Sequence, residues 1–178
     1  ELMVDIVRRA CQRQLMISTE GVVSARVDAE SFLITPTALD RPSVVVDDIV
    51  LVKDCQREVG KVPSRSVRLH DAIYRQHPRV QAIITAQAPY ITAYAIAERS
   101  LDTKTIPESY IMLMDVPKLP YGSPYVEHQR IADSITPGTP VLLLQNDSVL
   151  ISANSLLQAF DRLEVAELTA RSIIETAS

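Results

Sequence analysis

Two hydrophobic periods alternate along this chain. Leu2, Ile6, Val7, Ala10 and Leu15 recur at helical spacing and predict an amphipathic first helix. Denser apolar runs at 22–27, 32–35 and 44–53 predict strands, as do "PVLLLQ" and "SVLIS" around the turn Asn146-Asp147. Helical spacing returns at 64–77, 89–98 and 127–135. It returns again in a long last helix from Asn154, with Leu156, Phe160, Leu163, Ala166, Ala170 and Ile173 on one face. Interleaved strands and amphipathic helices predict an α/β domain with helices on both faces of one sheet.

One junction stands out. Gln81 to Ala86 reads as a buried strand, and Pro89 then opens an apolar helix whose Ile91, Tyr94, Ala95 and Ile96 face a core. Such strand-to-helix turns carry chemistry in many α/β enzymes. This one holds Thr85, Ala86 and Gln87, side chains of little reactivity.

Composition narrows the function classes. At 178 residues, 47% hydrophobic and 22% charged, the chain fits one globular domain. A net charge of -4 without a Lys/Arg run argues against a nucleic-acid partner. No apolar run is long enough to span a membrane, and "ELMVDIVRRACQRQL" lacks the apolar block of a signal peptide, so a soluble, cytoplasmic protein is expected. Cys11 and Cys55 stand alone, without CxxC spacing, and are expected to be reduced core thiols. With four glycines, no glycine-rich phosphate loop can be built. The start at Glu1 is read as a trimmed chain, or as a domain from a longer or tandem-domain protein.

Six stretches in register carry a resemblance. "GVVSARV" (21–27), "LITPTA" (33–38), "VPSRSVRLHDAIY" (62–74), "AIITAQAPY" (82–90), "LLLQNDSVLIS" (142–152) and "LLQAFDRLEVAELTA" (156–170) resemble the class II aldolase/adducin family, and with their spacing cover nearly the whole chain. The resemblance implies a three-layer α/β/α sandwich with a central, largely antiparallel sheet. It also implies a homo-oligomer, a tetramer in the family's enzymes, or assembly with a sister aldolase-like domain.

The resemblance further implies where chemistry would sit. The family holds a catalytic divalent metal, usually zinc, with a His-x-His turn and the histidine of an Asn-His-Gly; the matching positions here are Thr85, Gln87 and Asp147. Zinc prefers imidazole or thiolate, so no metal is expected. The family's general acid/base is the glutamate of a Ser-Ser-Glu run, and Ser66 stands there without a suitable pKa. The phosphate-cradling pairs correspond to Gly21-Val22, Thr37-Ala38 and Ser64-Arg65, with Ser148 replacing the glycine of Asn-His-Gly. Ala38 and Ser148 disfavour positive φ, so these turns are expected to have changed shape. Arg65 reads as a solvated charge or an ion-pair partner, with attraction of an anion as the alternative. Ser66, His70 and Asp147 supply a serine, a histidine and an aspartate, but no motif puts a base beside the serine. His70, His77 and His128 are read as structural helix residues.

Four replaced chemistry positions beside intact apolar patterning point to a catalytically degenerate domain with a structural, oligomerisation or regulatory role. Two alternatives stay open. One is a sugar-phosphate aldolase-type lyase with relocated or metal-free chemistry; the other is a small-molecule-binding domain using the old cleft, with Tyr90, Tyr94, Tyr110, Tyr121 and Tyr125 available for its walls.

Overall fold

Strand residues of alternate parity feed two separate cores. Val23, Ala82, Ile84, Ala86, Leu143, Val149 and Ile151 pack on one side of the sheet, while Val22, Ile83, Leu142, Leu144 and Leu150 pack on the other. A sheet apolar on both faces must be covered on both. The computed structural model, which describes residues 1–176, shows this three-layer arrangement.

In chain order the elements are α1 (Leu2–Gln12), β1 (Val22–Arg26), β2 (Ser31–Ile34), β3 (Val50–Lys53), β4 (Gln56–Arg57), α2 (Val67–Gln76), β5 (Ala82–Ala86) and α3 (Pro89–Ile96). Then follow α4 (Pro107–Leu113), β6 (Lys118–Leu119), α5 (Ser123–Val126), α6 (His128–Ser134), β7 (Val141–Leu144), β8 (Ser148–Ala153) and α7 (Leu156–Thr176). The sheet order is β4-β3-β2-β1-β5-β8-β7-β6, antiparallel throughout except for the β6–β7 pair. Residues of α1, α3, α4 and α7 fill one core, and residues of α2 and α6 fill the other. The largely antiparallel α/β/α sandwich is therefore present.

Three elements depart from the sequence pattern. The run 44–53 is not one strand: the Asp48 carboxylate accepts the Val45 N–H at 2.9 Å, closing a 3-10 turn over Val46–Asp48 before β3 begins. Ile96 is 62% exposed, because α3 ends there and its last side chain leaves the core. Cys55 is exposed rather than a core thiol, since it sits with Asp54 in a positive-φ turn linking β3 to β4.

α3 lacks a local cap, because Ala88 precedes it. Glu167 of α7 supplies one from a distance, its carboxylate accepting the N–H groups of Tyr90 at 3.0 Å and Ile91 at 2.8 Å. That contact fixes the β5-to-α3 turn, and with it Gln87.

Candidate functional site

Backbone pairing brings three turns together at one end of the sheet. Thr37 N–H donates to Val62 O and Ser64 N–H to Thr35 O, with a bridge between Pro36 and Pro63, so the segment before α2 is pinned against the segment after β2. Gly21 opens β1 beside them. Its φ of +89° and the Met16 Cγ only 2.7 Å from where a Cβ would stand exclude any side chain.

These turns and the far end of β5 enclose a cleft of about 390 Å³. Gly21, Val22, Thr37, Ala38, Ser64, Arg65, Ser66, Thr85, Gln87 and Asp147 all line it, so ten of the positions assigned from the sequence converge here, while Ser148 does not line it. Sheet register explains the last three. Thr85 pairs with Leu150 and Ala86 with Val149, which puts Gln87 beside the start of β8 and the adjoining Asp147. Thr85 and Gln87, two apart, share the face covered by α2.

Ala38 corrects one expectation. It adopts the left-handed backbone, φ +54°, so the turn keeps that conformation without glycine. The buried Arg41 holds it there: Nε donates to Gly21 O at 2.8 Å, and Nη1 to Pro36 O at 3.0 Å and Leu39 O at 3.3 Å. One guanidinium thus ties two turns of the cleft. Ser148, in contrast, takes its place as the first residue of β8 and is buried. Replacing Ala38 with glycine should relieve left-handed strain and raise unfolding stability by about 1 kcal/mol, measurable as a shift in urea midpoint.

Arg41 is 2% exposed, and desolvation lowers its pKa, opposed by nearby Glu20. Among the described residues no carboxylate lies within ion-pair distance of it. Nothing in the local sequence "LDRPS" marks Arg41 as part of a site. Arg65 is exposed at the rim, also without an ion-pair partner among the described residues. Of the five tyrosines, only Tyr125 lines the cleft. Its hydroxyl donates to Asp147 Oδ2 at 2.8 Å, which raises the Tyr125 pKa.

The cleft floor rests on a buried polar chain. Tyr74 OH lies 2.8 Å from Ser24 Oγ, Ser24 Oγ lies 2.7 Å from His70 Nδ1, and His70 Nε2 lies 3.2 Å from Thr85 Oγ1. His70 is fully buried, and desolvation pushes its pKa from 6.5 down to about 3, so it is neutral at physiological pH. His77 follows α2 and His128 opens α6, each ring close to a backbone carbonyl.

Could these residues hold zinc? Thr85 Oγ1 is engaged by His70, Asp147 Oδ1 accepts from Ser148 Oγ at 2.7 Å and Oδ2 from Tyr125, and Gln87 offers only a neutral amide. One carboxylate and two neutral oxygens do not fit a zinc site, which wants imidazole or thiolate. Ser66 lies at the cleft without a hydrogen-bonded base; its N–H donates to Ser64 Oγ at 3.3 Å. One polar group is left over. Gln87 Oε1 is buried and accepts no hydrogen bond.

Residues 1–174 match the family model described as "Class II Aldolase and Adducin N-terminal domain". The chain belongs to that family. It is 29% identical over 180 residues, 96% of this chain and 84% of the relative, to 3-oxo-tetronate 4-phosphate decarboxylase of Haemophilus influenzae. A shorter stretch of 85 residues, 47% of this chain and 40% of the relative, is 32% identical to methylthioribulose-1-phosphate dehydratase of Yersinia enterocolitica. The structure superposes on L-fuculose-1-phosphate aldolase from Thermus thermophilus with a TM-score of 0.85 and 18% identity, over 98% of this chain and 92% of that one. That likeness is one of fold. Among the described residues no helix is long and apolar enough to cross a membrane.

Proposed function

We propose that this chain is a catalytically silent class II aldolase-like domain whose surviving cleft binds a small anionic ligand, serving a regulatory or assembly role. The observation that supports it is the convergence of Thr85, Gln87, Asp147 and Ser66 on one cleft with no zinc-competent ligand set and no proton-transfer carboxylate at Ser66. Without a metal to stabilise an enediolate, and without a base to move its proton, the family's carbon–carbon chemistry has no agent here.

The cleft nevertheless keeps binding equipment. Thr37, Ser64 and Ser66 carry hydroxyls at its lining, and Arg41 adds a buried guanidinium that nearby Glu20 partly balances. A buried acceptor left without a partner costs about 1–3 kcal/mol, so the orphan Gln87 Oε1 calls for a donor from water or from a ligand hydroxyl. Assembly with a second copy or a sister domain is part of the same reading. Exposed Tyr121, Tyr125 and Val126 near the cleft offer apolar contact area, and light scattering at high concentration should report a species larger than a monomer.

A working lyase is the second reading, favoured by the names of the relatives, a decarboxylase and a dehydratase. Metal analysis and activity assays separate the two. The protein, equilibrated with zinc and dialysed, should retain far less than one equivalent and should not cleave sugar phosphates. One tightly held zinc per chain, lost on Asp147→Ala or Gln87→Ala, would overturn the silent-domain reading.

A further inference from the structure

A second cavity lies at the opposite end of the same strands and shares no residue with the cleft. It encloses about 560 Å³ between the end of α2, the loop after α6, the end of β8 and the side of α7. That size falls within the range of small-molecule sites. Whereas the cleft sits beyond Thr85 and before Ser148, this cavity sits before β5, at Val80, and after β8, at Asn154.

Its charge is one-sided. Arg79 and Arg162 line it together with the His77 ring, and no Asp or Glu does. Arg162 is partly buried, and desolvation lowers its pKa, so its surroundings do not fully compensate the charge. Two of its five donors are used structurally: Nε donates to Met112 O at 3.0 Å and Nη1 to Ser152 O at 2.6 Å, tying α4 and β8 to α7. Among the described residues neither arginine has a carboxylate within ion-pair distance. Asp133 lies outside the cavity lining and is already engaged by the side-chain amides of Gln76 and Gln129. A desolvated guanidinium with free donors and no counter-ion favours an anion, and its planar fork matches carboxylate or phosphate.

The remaining lining sets polar Gln76, Thr136, Ser152 and Asn154 beside a stiff apolar stretch. Val80, Ile135, Pro78, Pro137 and Pro140 supply it, and three prolines in one wall leave little backbone freedom to lose on binding. Structural tethering alone accounts for two donors of Arg162 but not for an acid-free cavity with a second arginine at its mouth.

We infer that this cavity binds a small organic anion, its carboxylate or phosphate held by Arg162 and Arg79 and its apolar body against the proline-lined wall. The test is an NMR titration of the full chain with phenyl phosphate, benzoate and inorganic phosphate, following backbone amides at both ends of the sheet. Phenyl phosphate or benzoate should shift the amides of Val80 and Ala153 saturably. Inorganic phosphate, lacking the apolar body, should bind there more weakly. Arg162→Gln should weaken the organic anions about tenfold or more, as loss of a charge-assisted hydrogen bond requires. Arg79→Ala alters an exposed side chain and so keeps the test valid if Arg162→Gln fails to fold; it should weaken binding severalfold. Arg65→Ala, in the cleft, should leave the affinity at Val80 and Ala153 unchanged. Absence of saturable shifts at Val80 and Ala153, or affinity there unchanged in Arg79→Ala, would overturn the inference. Loss of those shifts in Arg65→Ala would overturn it too, and each outcome is independent of whether the cleft holds zinc.

Discussion

Mild acid should destabilise this protein steeply, well before ordinary carboxylates titrate. His70 is fully buried with a pKa near 3, against 6.5 for the unfolded side chain. Between these values the unfolded chain binds a proton that the folded chain does not. The depressed folded pKa therefore contributes stability that is present above pH 6.5 and is lost as pH falls toward 3. The slope is about 1.4 kcal/mol per pH unit for one such group, a loss of roughly 3 kcal/mol over the first two units. Asp28, Asp133 and Glu175 have lowered pKa values too, so their contributions are lost only at more acid pH, below the ordinary 3.8 to 4.5. The upper part of the window therefore reports His70. Urea midpoints measured from neutral pH down to 4.5 should fall progressively in the parent and be nearly flat in His70→Asn, itself less stable at neutral pH. A flat parental profile would show that His70 is solvated or paired. In the folded chain His70 takes up its proton only near pH 3, where it would break the hydrogen bonds to Ser24 and Thr85, so ligand binding in the folded cleft should not follow the stability loss between neutral pH and 4.5.

Much of this architecture was legible because its strands and long helices carry unmistakable apolar patterns. The runs at 82–86, 141–144 and 148–153 are buried along their whole length, and α7 shows its core stripe at helical spacing. Short elements escaped. α4 begins at Pro107 and spans seven residues with only Ser109 and Leu113 buried, too few turns to establish a period; β4 and β6 are two residues each. The strand expected over 44–53 was broken by a side chain, Asp48, whose hydrogen bond to its own loop outcompetes strand pairing.

The candidate site was legible only through family motifs. Motif alignment named the ten positions that converge on the cleft, but contacts distant in sequence were invisible to it. Arg41 reaches back 20 residues to Gly21 O, and Ser24 meets His70 across 46 residues. Ala38 shows the limit of propensity reasoning. Its left-handed backbone is disfavoured locally, yet the buried guanidinium of Arg41 holds the turn in place.

If Thr85, Gln87 and Asp147 mark one former metal position whose framework survives, rebuilding that position is the direct test. In Thr85→His/Gln87→His/Asp147→His, three imidazoles would project from the end of β5 and the β7–β8 turn into the same cleft. Such a set suits tetrahedral zinc with one open position. Adding Ser66→Glu should give no more than a trace of lyase activity, since neither Arg65 nor Ser148 restores the family's phosphate-site residues. The decisive measurement is zinc affinity of parent and triple variant, by calorimetric titration against a competing chelator. One site per chain is expected in the variant, bound about a thousandfold or more tighter than any zinc on the parent, on the order of 4 kcal/mol. A triple variant that folds normally yet binds zinc no better than the parent would contradict the idea of a surviving metal framework.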